Sequence, residues 1–565
     1  MNSRITLALA AMLAPAALSA QSSEDLQKQI DHLKTQLQAV EEKAAAAQEV
    51  DLRLTKVEAR TAGDNVKWGG DLRTRFETSQ WHFKPYQQFM GFAQNPLAPT
   101  SPMALTQQVP AQDWTNSVQW STRLRLKMGI TINEHAKIMG RLTMYKIHGG
   151  ADVPTFNGSP GSVANSFNSG KVPGTDALVV ERASLIYDFP VGILSMGRQN
   201  TSDGPPFEVK DGSERSGTPQ LLAINAPVDG LAFKFPLYKI GFPDGTLLNI
   251  CYGVGFESGF GGGGQVKTNA APVGFNFTNV NWTAQGPNAA AATLQVNSIG
   301  PLKDMTVLGA TFDMPLLFQI GDSVQSANFY FGYNRMGNLT DIPFGSTNNF
   351  PVPAMPGVGG MPSIQYVTAT NNLGDISQWT TTWKHKVSDS FMYFASFGHI
   401  KSLPNGKSSQ YGAYWTMPGA TQPTQLAGFG GLLGDANKSQ TADGYYLGMR
   451  WDATDKFAFG LEFNHGSPKW WTYAPATGEF TEKLSTRGDV WEGYIHWQFA
   501  KSAYFRLGYL DYKYTHAFSG WHISPGPSVP GQSWEEAFDL GKNPTLQYGF
   551  PATVKNTYAA IEVRF

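Results

Sequence analysis

Hydrophobic and polar side chains alternate along much of this 565-residue chain, in short runs separated by turns. A period of two places successive side chains on opposite faces of a β-strand. Between residues 118 and 131 one face is largely apolar, while the other carries Arg123, Arg125 and Lys127. A turn at 133–135 and a second run of the same kind follow it. The pattern therefore predicts an antiparallel pair with one apolar and one charged face.

The same alternation predicts sixteen strands. They lie at 68–77, 117–131, 136–147, 177–188, 192–199, 228–236, 245–257, 304–313, 325–335, 375–386, 390–401, 443–452, 455–464, 488–499, 502–514 and 553–565. The connections alternate strictly between eight long loops and seven short turns, which is typical of transmembrane barrels. We therefore expect an all-β fold, a transmembrane antiparallel β-barrel of about 16 strands over residues 63–565. The even count places both barrel ends in the periplasm and the eight long loops outside the cell.

The last strand, 553–565, has an apolar face that ends on Val563 and Phe565. An ordinary edge strand is one interpretation of this pattern. A strand that closes a barrel in lipid is the other, because its outer face needs apolar cover and its backbone needs a partner. We expect this strand to pair with 68–77. Val563 and Phe565 are the expected signal for the barrel-assembly machinery.

The N-terminus has a different pattern. Residues 1–20, with Arg4 before an apolar stretch and small residues at Ser19 and Ala20, are expected to be a secretory signal peptide. Residues 21–62 carry an apolar seam with heptad spacing, which predicts a periplasmic α-helical coiled coil roughly 55 Å long. A single amphipathic helix packed on its own domain is the alternative. The coiled coil would assemble a homotrimer.

Composition narrows the chemistry. Cys251 is the only cysteine, which excludes disulfides, thiolate metal sites and haem attachment through paired cysteines. After the signal no run of 18 apolar residues is long enough for a transmembrane helix. The net charge of −1 gives no indication of nucleic acid binding. We expect no cofactor, no metal site and no catalytic residues, with outer-membrane lipid as the surrounding partner.

Several segments resemble a poorly characterised family of outer-membrane porins, found in Geobacter-like and related bacteria, that joins a coiled coil to a barrel. They are KWGGDLR at 67–73, GRQ at 197–199, DGPP at 203–206, GLEFNHGS at 460–467 with Trp470, and RGDVWE at 487–492. The layout is also similar to phosphate-selective and sugar-specific porins, which are trimers. The resemblance implies a porin-like role and no particular solute.

Strand parity indicates which side chains would line the pore. A barrel of sixteen strands encloses a water-filled lumen rather than a packed apolar core. The basic side chains expected to face it from the first five strands are Arg73, Arg75, Arg123, Arg125, Lys127, Arg141, Arg182 and Arg198. Such a wall would favour anions. In the alternative interpretation, these cations mainly pair with carboxylates of an inward-folded loop.

The third long loop, 200–227, is the candidate for that constriction, by analogy with general porins. Its charged candidates are Asp203, Glu208, Lys210, Asp211, Glu214 and Arg215. Adjacent His465 and Ser467 suggest a hydrolase pair, but no oriented acid is identifiable in the sequence.

The sequence favours a passive porin for small hydrophilic solutes or anions. Two alternatives remain: a structural barrel that tethers or spaces the envelope, and the barrel component of an envelope electron-transfer complex.

Overall fold

The computed structural model of the chain divides into two compact units, Met1–Val66 and Lys67–Phe565. In the first 65 residues it describes 27–28, 31–32, 34–42, 49–50 and 53. Beyond them it describes 66–93, 103–148, 178–200, 209–210, 222, 224, 227–256, 276–277, 294–295, 302–321, 323–341, 371–408, 412–415, 424–473, 483–527, 531–543 and 550–565. Among these residues no helix has the length and apolar character needed to cross a membrane.

Sixteen antiparallel strands close into one barrel. They are β1 (Val66–Phe83), β2 (Gln112–Thr131), β3 (Ala136–Ile147), β4 (Val179–Phe189), β5 (Gly192–Asn200), β6 (Pro227–Pro236), β7 (Leu247–Phe256), β8 (Met305–Ile320), β9 (Ser323–Thr340), β10 (Asn372–Lys386), β11 (Phe391–Pro404), β12 (Thr441–Asp452), β13 (Phe457–Gly466), β14 (Gly488–Ala500), β15 (Ala503–Tyr514) and β16 (Pro551–Arg564). The predicted fold class and strand number are confirmed.

The seam of the barrel joins its first and last strands. β1 pairs antiparallel with β16, and Arg73 lies opposite Glu562. At the end of the seam, Gly70 and Phe565 exchange two backbone hydrogen bonds of 2.8 and 3.1 Å. A Cβ on Gly70 would lie 2.3 Å from the Arg125 carbonyl oxygen, so this close approach requires glycine. The predicted pairing of the last strand is confirmed, whereas the role of Val563 and Phe565 in assembly stays a prediction.

The connections alternate as predicted, with short turns between β2 and β3, β4 and β5, and each later even–odd pair. Several strands are longer than their alternating segments, because the ladder continues past the apolar stretch. β8, for example, extends to Ile320 rather than residue 313. Its later part contains Pro315 and the run Leu316-Leu317-Phe318, which interrupt the period of two.

The outer face of the barrel is an apolar belt. Exposed aliphatic side chains on it include Leu72, Leu231, Ile250, Leu308, Leu447, Leu461, Ile495, Leu507 and Ile561. Aromatic side chains border the belt on both sides: Tyr445, Phe463 and Trp491 towards the long loops, and Trp451, Phe457 and Trp497 towards the short turns. An apolar band between aromatic girdles is the surface that a membrane-spanning barrel presents to lipid.

Smaller elements belong to the long connections. Tyr86–Ala93 pairs with Met103–Val109, Asn276–Phe277 pairs with Leu294–Gln295, and Gly412–Trp415, Thr424–Leu432 and Ile523–Pro525 form a three-stranded sheet. Short helical turns lie at Leu237–Ile240, Lys483–Ser485 and Trp534–Ala537.

The first unit is helical wherever the structure describes it between residues 27 and 53. Within it Leu37, Val40 and Val50 are 60–65% exposed. Pairing of this helix with a second copy stays a prediction, and the signal peptide at 1–20 lies outside the described residues.

Candidate functional site: the lumen of the barrel

The inner face of β1–β4 is rich in basic side chains. Strand register places seven of the eight predicted pore-lining cations there: Arg73, Arg75, Arg123, Arg125, Lys127, Arg141 and Arg182. Their exposure differs. Lys127 is exposed to the lumen and Arg125 is half-buried, whereas Arg73, Arg75 and Arg141 are buried. This set is called the basic wall below.

Four carboxylates lie within the basic wall, namely Asp71, Glu77, Glu181 and Glu562. Asp71 accepts a hydrogen bond from Arg125 Nε at 2.8 Å and one from Arg123 Nη2 at 3.0 Å. These acids are not among the predicted pore-lining residues, although strand alternation places Asp71 and Glu77 on the same face as Arg73. Seven cations against four acids leave the described wall with a smaller positive excess than the arginines alone suggest.

Two further arginines of the basic wall also pair with carboxylates on the same or a neighbouring strand. Arg75 Nη2 lies 2.6 Å from Glu77 Oε1 on the same strand. Arg141 holds Glu181 on the neighbouring strand through two hydrogen bonds, one of them from Nε at 2.6 Å. Each of these carboxylates comes from a strand rather than from a loop. The wall is therefore largely organised by its own strands.

Three cations form one row across adjacent strands of this wall. Lys127 on β2 is the register partner of Arg141 on β3, and Arg141 is the partner of Arg182 on β4. Like charges directly opposite each other across a sheet repel. Among the described residues, Lys127 has no hydrogen-bond or ion-pair partner, and its side chain is exposed. Arg141 is paired with Glu181, so Lys127 is the member of the row that presents its charge to the lumen.

The third long loop enters the lumen where the structure describes it. Lys210 is 6% exposed and its ammonium contacts Glu492 on β14 and lies 3.7 Å from Glu462 on β13. Its backbone carbonyl accepts hydrogen bonds of 3.1 Å from Arg450 and Arg506. From its place between β5 and β6, the loop thus reaches β13 and β14. The other candidates, Asp203, Glu208, Asp211, Glu214 and Arg215, lie outside the described residues.

Lys210 belongs to a buried four-charge cluster with Lys483, Glu462 and Glu492, called the latch below. Lys483 is fully buried, and its ammonium bonds both carboxylates, that of Glu492 at 2.7 Å. Two tyrosines donate further hydrogen bonds to these carboxylates: Tyr446 to Glu462 at 2.8 Å and Tyr558 to Glu492 at 2.7 Å. Two cations and two anions balance, which suits ions removed from water. The latch ties the third and seventh long loops to β13 and β14.

A slot lined by glycine holds the side chain of Trp470 beside the latch. Gly398, Gly444 and Gly466 are register partners on β11, β12 and β13, all facing inward. A Cβ on any of them would lie 2.5–2.8 Å from the Trp470 ring. Trp470 is fully buried and its Nε1 donates to the Leu484 carbonyl at 2.8 Å. The three glycines were the available sequence signal for this packed site.

An apolar cluster extends from Trp470 across the lumen and is called the plug below. Its loop members are Val209, Leu222, Ile224, Leu432, Leu433, Trp471, Tyr473, Leu484 and Ile523, and its strand members include Val307, Ile376, Phe394, Ile400 and Tyr446. The expectation of a lumen without a packed apolar core is therefore wrong for this side. Long loops fold inward and cover the inward-facing apolar residues of β8–β12.

Arg198 is the exception among the predicted pore-lining residues. Its register partners are Ala183 and Asp229, and its guanidinium lies 3.4 Å from the Asp229 carboxylate. It shares a strand face with Met196, which is 37% exposed on the outer surface. The inward assignment of Arg198 was wrong, because strand alternation from Met196 directs it outward.

His465 and Ser467 do not form a hydrolase pair. His465 Nδ1 lies 2.7 Å from Asp489 Oδ1 on β14, whereas Ser467 Oγ accepts a 2.9 Å hydrogen bond from the Asp443 backbone on β12. The two side chains thus engage opposite neighbouring strands. The described residues contain no group of three or more His, Cys, Asp or Glu side chains placed to hold a metal ion.

One histidine of the plug region lies in a loop. His522 is 2% exposed, and its Nε2 donates to the Thr340 carbonyl at 2.7 Å. Burial lowers its pKa to about 4, because the charged imidazolium is poorly solvated there. His522 is therefore neutral near pH 7.

Comparison with known proteins places residues 113–565 within the family described as "Protein of unknown function (DUF3373)". The chain belongs to this family. No curated protein matches the sequence.

Solved structures with a similar fold are outer-membrane proteins. A loop L8 deletion mutant of OmpT of Vibrio cholerae is 10% identical, with 88% of this chain and 99% of that chain covered and a TM-score of 0.36. The channel DcaP of Acinetobacter baumannii is also 10% identical, with 88% and 97% covered and a TM-score of 0.35. OmpF of Salmonella typhi, in complex with daunomycin, is 8% identical, with 87% and 97% covered and a TM-score of 0.35. The barrel described above rests on its own strand register rather than on these similarities.

Proposed function

We propose that this member of the DUF3373 family is an outer-membrane porin that lets small hydrophilic solutes diffuse passively and prefers anions. The closed barrel and its apolar outer belt support residence in the outer membrane. The observation that carries the anion preference is Lys127, whose side chain faces the lumen without a carboxylate partner among the described residues. Ion selectivity in such a pore follows the charges that line it.

The solute path lies along the basic wall in this proposal. The plug covers the inner faces of β8–β12, so the remaining passage is bounded on one side by charged side chains. Small anions would exchange between Lys127 and Arg125, the most exposed members of the wall. The carboxylates already bind the buried arginines, so a solute would meet mainly the exposed cations. Binding at these cations is weak, which lets the solute enter the pore without being trapped there.

Planar-bilayer recording of the purified protein tests this function. Across a KCl gradient, the reversal potential should indicate anion preference, and Lys127→Gln should move it towards zero. Lys555→Gln removes a lysine from the outer face of β16 and is the matched control, with no expected shift. Absence of discrete channels, or a cation preference, would refute the proposal.

A structural role is the second candidate, and the plug favours it. Loop side chains such as Trp470 and Lys210 occupy one side of the lumen and leave less room for solutes. In that case the N-terminal helix would tether or space the envelope. Deletion of residues 21–62 distinguishes the two: a porin keeps its conductance, whereas a tether loses its envelope phenotype while channel properties stay unchanged.

Trimer formation through residues 21–62 and delivery by the barrel-assembly machinery belong to the same proposal. The exposed Leu37 and Val40 of the helix support association with further copies, because an exposed seam gains from burial. Native electrophoresis of the full chain and of the deletion variant should give a trimer and a monomer, respectively.

A further inference from the structure

The outer surface of the barrel carries cation–carboxylate pairs at the long-loop end. Each pair joins the two strands of one long-loop hairpin, and six of the eight hairpins have one among the described residues. The pairs, with their closest distances, are His82–Asp113 (2.7 Å), Arg198–Asp229 (3.4 Å), Arg335–Asp375 (2.6 Å), His399–Asp443 (2.7 Å) and His465–Asp489 (2.7 Å), together with the register partners Asp511 and Lys555. This set is called the rim below.

Four of the six pairs have a member that lies one same-face residue beyond a lipid-facing aromatic. In one of these pairs His465 follows Phe463, and Asp489 precedes Trp491. Those two rings are 4.6 Å apart and end the belt on these strands. Amphipathic aromatics mark the membrane–water interface. The rim therefore lies at the level of the lipid head groups in the leaflet next to the long loops.

Stapling the hairpins is a weak explanation for these pairs. The side chains are substantially exposed. Arg198, Arg335, His399 and His465, which strand register directs outward, are 28–50% exposed. Exposed ion pairs contribute little to stability. Long-loop hairpins also gain far more from their backbone ladders, which are complete without these side chains.

A phosphorylated lipid head group fits both members of each pair. Arg335 and Lys555 attract phosphate directly, because basic residues near a membrane surface favour anionic lipid. A carboxylate such as Asp443 repels bare phosphate, yet oxygen ligands of this kind bind Mg²⁺ or Ca²⁺. A divalent cation between carboxylate and phosphate turns that repulsion into attraction. Alternating cations and carboxylates thus complement a layer of phosphates that divalent cations bridge.

We propose that the rim binds phosphorylated lipid head groups of the outer leaflet, with Mg²⁺ or Ca²⁺ bridging its carboxylates to lipid phosphate. The proposal rests on the outer-membrane placement proposed above and is independent of solute transport. It assigns a shared role to six pairs that have no part in the lumen, Arg198 among them.

Binding of diphosphorylated lipid A to the full-length protein in detergent micelles tests this, with phosphatidylcholine as the comparison lipid. The variant D443N/D489N/D511N removes three rim carboxylates from neighbouring hairpins. We expect lipid A affinity to fall at least tenfold in this variant, and to fall similarly for the unchanged protein after Mg²⁺ is chelated. D244N/D389N/D455N removes three exposed carboxylates at the short-turn end and should leave affinity unchanged.

Three outcomes would overturn the proposal: equal loss in both triple variants, binding unaffected by chelation, or no preference over phosphatidylcholine. Displacement of lipid A by millimolar inorganic phosphate would also overturn it, because the rim would then hold a free oxyanion. Conductance measured on the same variants reports separately on the porin function. An intact channel with lost lipid binding, or the reverse, therefore identifies which proposal fails.

Discussion

Two walls of the same barrel differ in where the partners of their charged side chains come from. On the basic wall, carboxylates of neighbouring strands pair with the arginines, and Lys127 remains exposed to the lumen. On β13 and β14, Glu462 and Glu492 are buried, and their cationic partners Lys210 and Lys483 both come from loops. One wall is completed by its own strands, and the other is completed by chain that folds in from the loops.

The difference shows what a strand pattern determines. Alternation decides which way a side chain points, and it does so equally on both walls. What the side chain then meets depends on the loops, because loop residues such as Leu222 and Trp470 pack against the inward-facing side chains of some strands. A pore-lining position is therefore defined by two elements, a strand that directs the side chain and a loop that leaves it uncovered.

Removing one latch carboxylate should have the largest effect. Glu492→Ala removes a carboxylate that both Lys210 and Lys483 bind, together with the acceptor of Tyr558. Breaking a buried ion pair costs about 3–5 kcal/mol, because the remaining charge stays buried. We expect a loss of this size in the free energy of unfolding, measured by denaturant titration of the folded barrel in micelles.

The matched control for that variant is Asp389→Ala, which removes an exposed partner of Lys386. An exposed pair contributes at most about 1 kcal/mol. Similar losses for the two variants would show that the latch is solvated, and the contrast between the walls would disappear.

Emptying the glycine slot should have the next largest effect. Trp470→Ala removes a fully buried ring and leaves the Leu484 carbonyl without its donor. A truncation of this kind typically costs about 3 kcal/mol or somewhat more, through lost packing and the cavity that remains. Because the plug borders the lumen, single-channel conductance should also rise. Trp491→Ala, on the lipid-facing side of β14, should leave conductance unchanged, and a rise in both variants would argue against a plug.

The barrel could be predicted from the sequence because the pattern that specifies each strand lies within the residues of that strand. Period-two alternation and the strict order of long and short connections identified every strand. The seam between β1 and β16 followed from the same count. Strand ends were missed where local alternation fails, as at Pro315, although the backbone ladder continues through it.

The site was predictable only in part, for the same physical reason. Parity placed the arginines of β1–β4, but the latch brings together Lys210 and Glu492, which are 282 residues apart in sequence. No local period reports such a contact. The inward glycines Gly398, Gly444 and Gly466 were a usable signal, since glycine at register positions on three strands implies that something large packs there. Arg198 shows the opposite error, an arginine assigned inward by strand parity although Met196 on the same strand face is directed outward.

The plug should also loosen in acid, by a smaller amount. The pKa of His522 is about 4 in the docked loop, below the ordinary value near 6.5, so an undocked loop binds the proton more readily. The docked state therefore keeps its full stability above about pH 6.5 and loses it as the pH falls towards 4. Linkage gives a loss of about 2 kcal/mol between pH 7 and 5. Protection factors of the backbone amides in the loop 515–550, which correct for the slower intrinsic exchange in acid, should accordingly be lower at pH 5.

A variant separates His522 from other titrating groups of that loop. His516 shifts in the same direction, because burial lowers its pKa too, so acid alone does not identify the residue responsible. His522→Gln keeps a side-chain donor for the Thr340 carbonyl but cannot titrate. Most of the pH dependence of these protection factors should vanish in it, whereas anion selectivity along the basic wall should be the same at pH 7 and 5. If the variant kept the full pH dependence, groups other than His522 would control the docking of this loop. The plug would then be more accessible to water than the buried imidazole indicates.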